Sequence, residues 1–194
     1  MKRLIFLLFF VNTILISLAQ DKSEHLSFKG VPIDGTLNEY VAKMKAAGFS
    51  YLGTQDGTAI LQGDFAGFKN CTVGVSTLKA VNVVSTIGVI FPSHDDWSSL
   101  ERDYDHLKSM LTQKYGEPTE VVEQFQGRTN PNTNNEKLHE LMMDRCTWYT
   151  TFETTKGDIQ LSLQKGDFGQ YFVLLKYYDK INTDTVRSAA MDDL

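Results

Sequence analysis

The sequence predicts an α+β domain in which helices pack on one face of an antiparallel sheet. Three observations predict it. Across residues 50–91, and again across 145–178, apolar side chains recur at every second position between short turns, the period of strands. Leu37, Tyr40, Val41 and Met44, and then Trp97, Leu100, Tyr104, Leu107, Leu111 and Tyr115, recur at steps of three and four, the period of a helix with one buried face. The resulting order is strand, helix, meander, helix, meander. Connections this short make neighbouring strands antiparallel, and helices set between meanders cover one side of the sheet they form.

Residues 1–19 read as a cleavable signal peptide rather than as part of this fold. Lys2 and Arg3 supply the positive start, residues 4–18 are almost wholly apolar, and Ser17 and Ala19 place small side chains at the −3 and −1 positions. The alternative is a membrane anchor, but a run of about 15 residues is short of the ~20 that span a bilayer. With no Cys near the cleavage site, the usual lipid-modified N-terminus is excluded. The expectation is export to the periplasm or the extracellular space, with no membrane insertion after cleavage.

The first strand is expected over 26–33, where alternation stops at Pro32 and Gly35. Thr36 and Glu39 then form a capping-box pattern at the start of the first helix, which Gly48 ends. Four strands follow at 50–54, 58–64, 68–77 and 81–91. In the last of these Val81, Val83, Ser85, Ile87, Val89 and Phe91 share a face. Asp95, Asp96 and Ser98 offer acceptors to the N-terminus of the second helix, and Gly116 with Pro118 stops it. Residues 126–136 read as a loop, followed by a short helix over 136–143 that buries Leu138, Leu141 and Met142. Strands at 145–154, 158–165 and 170–178 close a single domain over 20–180, and residues 181–194 read as a frayed polar tail.

The domain has two candidate halves, 26–92 and 95–178. Leu61-Gln62-Gly63-Asp64-Phe65 in the first returns as Leu163-Gln164-Lys165-Gly166-Asp167-Phe168 in the second. Gly-Asp is common turn chemistry, so this match suggests a duplication without requiring one. The opening Leu26-Ser27-Phe28-Lys29-Gly30-Val31-Pro32-Ile33-Asp34-Gly35-Thr36-Leu37, with the helix through Gly48 and Phe49, resembles short uncharacterised exported proteins of Bacteroidetes-type bacteria. That resemblance implies the compartment and brings no activity. The order of helix and meander is more loosely similar to the duplicated fold of β-lactamase inhibitor protein, a likeness of fold alone.

Charge and motifs narrow the function classes. Removing Lys2 and Arg3 from the 19 basic residues leaves 17 against 24 acidic ones, a formal charge of −7. An acidic chain without a basic cluster has no footprint for nucleic acid or anionic lipid. Cys71 and Cys146 are the two thiols, and an oxidising compartment suggests that they pair, although strand-like surroundings also suit buried free thiols. No catalytic, cofactor or metal signature emerges. His94-Asp95-Asp96 reads as the loop and cap before the second helix. Glu136 and His139, one helical turn apart, give two ligands where a metal site needs three. Neither a nucleophile elbow nor a phosphate loop is present.

What remains is aromatic. Phe65, Phe68, Phe168 and Tyr171 flank the two Gly-Asp-Phe turns and are the candidate ligand contacts, unless they serve the core. The function class that fits is an exported, non-enzymatic binding module for a protein, peptide or glycan. The alternatives are a structural or assembly accessory of the cell envelope and a hydrolase-type enzyme with a site assembled from scattered residues.

Overall fold

A computed structural model of the chain describes residues 24–78, 82–127, 130–166 and 169–192. The expected signal peptide over 1–19 lies outside the described residues. The elements are β1 (Ser27–Phe28), β2 (Val31–Pro32), α1 (Leu37–Ala46), β3 (Ser50–Gln55), β4 (Thr58–Phe65), β5 (Phe68–Leu78) and β6 (Val83–Ile90). They continue with α2 (Trp97–Tyr115), β7 (Glu120–Phe125), α3 (Asn134–Met142), β8 (Cys146–Thr154), β9 (Gly157–Lys165), β10 (Tyr171–Asp179) and α4 (Lys180–Asp192). The fold is α+β, with four helices among the described residues and an eight-stranded antiparallel sheet.

The sheet order is β3-β4-β5-β6-β10-β9-β8-β7. It consists of two four-stranded meanders, each preceded by a helix and meeting at their last strands. The seam pairs Leu174 with Ile90 through to Tyr178 with Thr86. Along β10 burial alternates strictly: Tyr171, Val173, Leu175 and Tyr177 are buried, while Phe172, Leu174, Lys176 and Tyr178 are half-buried. The buried set joins Ile87 and Val89 of β6, Ile159, Leu161 and Leu163 of β9, and Phe152 of β8 in one core. Helix α1 packs on β3, β5 and β6, and α2 on β8, β9 and β10.

Helices α1 and α2 form where periodicity and caps agree. Thr36 accepts from the Glu39 N–H while Glu39 accepts from the Thr36 N–H, and Tyr40 and Met44 are fully buried. Asp96 caps α2 through the Ser99 N–H, and Trp97, Leu100, Tyr104, Leu107 and Leu111 are its buried stripe. No helix among the described residues is long and apolar enough to cross a membrane.

The structure corrects the sequence reading at several places. Residues 26–33 are a hairpin, β1 and β2, turned at Lys29 and Gly30, both of which have positive φ. In β6 the buried residue near the start is Val84 rather than Val83. An irregularity pairs Ser76 with Thr86 but Thr77 with Val84, and the extra residue shifts the alternation. Strand β7 occupies a stretch with no assigned element, and Met142 of α3 is exposed. The expected tail is α4. Its Asn182 is buried and donates through Nδ2 to the carbonyls of Ile33 and Val84, at 3.0 and 2.9 Å.

The expected Cys71–Cys146 disulfide is absent, and both thiols are free. Cys71 lies on β5 and Cys146 on β8, with β6, β10 and β9 between them. Four strand spacings amount to roughly 19 Å. A disulfide needs Cα atoms within about 7 Å.

Candidate functional site

The residues singled out in the sequence do not converge on one site. Tyr171 is 6% exposed and belongs to the core. Phe65 and Phe68 are half-buried against that core. Phe65 lies 4.9 Å from the Phe28 ring, and Phe68 meets Phe91 edge-on at 4.9 Å. Phe168 lies outside the described residues. Of the expected contact residues Tyr171 is thus buried, while Phe65 and Phe68 pack against the core and keep part of their surface exposed.

The polar candidates are committed to structure as well. Asp96 is a helix cap, and His94 Nε2 meets Asp103 Oδ2 at 2.7 Å while its backbone bridges to Tyr171. Glu136 accepts from the N–H groups of Asn132 and Thr133, which holds its carboxyl below the usual range. Among the described residues no three His, Cys, Asp or Glu side chains gather as metal ligands.

A different place offers a recess on the sheet itself. The pairing of β8 with β9 ends at Tyr149 and Ser162. Beyond that point β8 continues to pair with β7 down to Cys146, and β9 with β10 up to Lys165. The two strands therefore part. Residues 146–148 and 163–165 each keep a partner on one side only, and a cleft of about 340 Å³ opens between them. Its lining includes Thr147, Tyr149, Gln160, Ser162 and Gln164, with Leu141, Cys146 and Leu163 supplying apolar surface.

Local sequence explains the fork. Helix α3 sits between β7 and β8 in the chain, and its capping box at Thr133 and Glu136 fixes where it starts. The helix packs Leu138 and Leu141 beside β8 and β9. Arg145 then holds Glu140 through two hydrogen bonds of 2.9 and 2.8 Å, which anchors the entry to β8. Lys165 Nζ spans the open end, donating to the Met142 carbonyl at 2.9 Å and to Asp144 Oδ2 at 2.5 Å.

The cleft is uncharged between those ends. Gln164 Nε2 donates to Ser162 Oγ at 3.1 Å, and Gln126 donates to Thr147 Oγ1. Burial, with a smaller contribution from the Glu140 charge, pushes the Cys146 thiol up to about 12. It is neutral at physiological pH, and a neutral thiol is a poor nucleophile and a poor metal ligand. The Trp148 indole N–H is buried without a hydrogen-bond partner among the described residues. Hydroxyls, amides and one-sided strand edges give this place hydrogen-bonding capacity, with the Lys165–Asp144 pair at its open end.

Sequence reasoning passed over the fork because it depends on where pairing stops. Only the separation of β7 from β8 by a helix hinted at it, and β7 itself was not read. Comparison with family models, curated proteins and solved structures gives no match.

Proposed function

We propose that this domain is a non-enzymatic binding module, exported after removal of residues 1–19, and that it holds an extended protein or peptide segment in the fork between β8 and β9. The observation that carries the reading is the loss of pairing beyond Tyr149 and Ser162, which leaves two strand edges facing a cleft. An unpaired edge offers backbone N–H and C=O groups in the spacing an extended peptide matches, and side-chain walls then supply selectivity.

Two features of the architecture support this reading. We infer that the helices lie on one side of the sheet, which leaves the half-buried residues of β10 and the hydroxyls and amides around the fork on the other. We also infer that the two meanders arose by duplication, because each follows a helix and they meet at equivalent last strands. Insertion of α3 then distinguishes the second half from the first and creates the fork. The likeness of residues 26–37 to exported proteins of Bacteroidetes-type bacteria supports the compartment.

The test is selection from a displayed library of unstructured peptides using residues 20–194 as bait. The selected peptides are then titrated against the unchanged protein, Thr147→Trp and a remote control, Lys69→Ala. Loss of binding of tenfold or more for Thr147→Trp, at unchanged melting temperature, supports the fork. Binding that survives Thr147→Trp, or a library that yields no peptide while a glycan array does, overturns the peptide reading.

A further inference from the structure

We propose a second ligand site on this chain: the recess between α2 and the end of β10 binds an aromatic monocarboxylate. The recess measures about 200 Å³ and is lined by Phe65, Ala66, Leu107, Met110, Leu111, Leu175 and Tyr177, with Lys114 as the one charged residue in the lining.

Size sets the first limit on the occupant. A dry apolar cavity of about 150 Å³ holds a benzene molecule. The space here fits one ring and a few further atoms. Composition sets the second. Leu107, Leu111, Leu175 and Tyr177 are nearly fully buried and preformed, whereas Met110 is 40% exposed at the rim, where its flexible thioether can adjust to a ring. Phe65 offers an aromatic wall already held by Phe28 and Phe91.

Charge sets the third. Lys114 Nζ lies 4.9 Å from the centroid of the Tyr115 ring, and no carboxylate among the described residues pairs with it. The other lysine on this helix, Lys108, is already paired with Glu123 at 2.6 Å. An unpaired ammonium beside an apolar recess complements a ligand whose apolar body enters first and whose carboxylate stays at the mouth. The site lies at the β4–β5 turn and α2, away from the fork, so it stands or falls independently of the peptide reading.

The experiment uses the mature protein with labelled Leu and Met methyls, titrated with 3-phenylpropionate and with the uncharged 3-phenylpropanol. Shifts confined to Leu107, Met110, Leu111 and Leu175 are expected for both. The acid should bind more tightly. Lys114→Gln should weaken the acid about three- to fivefold, the scale of an exposed ion pair, and leave the alcohol unchanged. Methyl shifts elsewhere, or acid binding indifferent to Lys114→Gln, would overturn the proposal. The map on the unchanged protein keeps the test decisive if the variant folds poorly.

Discussion

Asp179 shows how much one side chain can organise. It is fully buried at the end of β10 and accepts from the Leu26 N–H at 2.7 Å, the Asn182 N–H at 3.0 Å and the His25 ring at 3.0 Å. It therefore ties the entry of the domain to the start of α4, where it occupies the capping position. Asp179→Ala leaves two buried N–H groups without acceptors, and the expected cost is on the order of 3 kcal/mol. Asp179→Asn keeps one acceptor oxygen and should cost less. Urea midpoints of the two variants check this, and equal small shifts would show that the network carries little. The thiols give a second residue-scale expectation. Burial raises both Cys71 and Cys146, and neither has a partner within bonding reach. Without reductant, the folded protein should label slowly with iodoacetamide and the urea-unfolded protein should label at two thiols. An intact mass lower by two hydrogens would show a bridge and contradict the sheet order.

At the scale of elements, what could be read from the sequence was what two signals supported together. Helix α2 was legible because its apolar stripe and its Asp96 cap both marked the same start. Leu107→Ala should cost about 2–5 kcal/mol, since the side chain is 2% exposed, whereas Lys108→Ala removes a partly exposed pair with Glu123 and a distant contact with the Tyr104 ring and should cost less, about 1 kcal/mol. Equal denaturant shifts would mean the helix phase is wrong. Strand β7 was illegible because Glu120-Val121-Val122-Glu123-Gln124-Phe125 lies at the sheet edge, where only Phe125 reaches the aromatic cluster of Trp97 and Trp148. Helix α4 was hidden because its anchor is polar: Asn182 binds carbonyls from β6 and from the residue after β2, partners that no local pattern reveals. The caps also predict a pH response. Backbone N–H bonds, from Thr36 to Glu39, Ser99 to Asp96 and Asn132 to Glu136, hold these carboxyls below their usual values. Their stabilisation is fully present above the ordinary carboxylate range and is lost as pH falls through the depressed folded values. Melting temperature should decline over that acid window, and Glu39→Gln, Asp96→Asn and Glu136→Gln combined should flatten the decline.

The whole molecule depends on a seam that sequence order conceals. Period-two runs and short turns were enough to anticipate two meanders, but not that β6 would pair with β10, whose registered partners, from Leu174 with Ile90 to Tyr178 with Thr86, lie 84 to 92 residues apart. The site was less legible still. Aromatics are conspicuous in a sequence, yet here Tyr171 is buried and Phe65 and Phe68 rest on the core, while the fork arises from pairing that ends. The seam has a consequence for cooperativity. Strand β6 is central only because the second half supplies β10, and the core is continuous across both, from Val73 and Val75 through Val89 and Val173 to Leu161. A half consisting of residues 24–93 would expose the edge of β6 and lose the Asn182 contacts to Ile33 and Val84. The two meanders should therefore unfold together as one cooperative unit rather than as two domains in sequence. Native-state hydrogen exchange should find the slowest amides in β6 and β10, exchanging only through global unfolding, with β3 and β7 opening at lower free energy because each is an edge strand. A single calorimetric transition should accompany this pattern. Two resolved transitions, or a folded and monomeric fragment of residues 24–93, would show that each half stands alone and that the seam is a contact between domains.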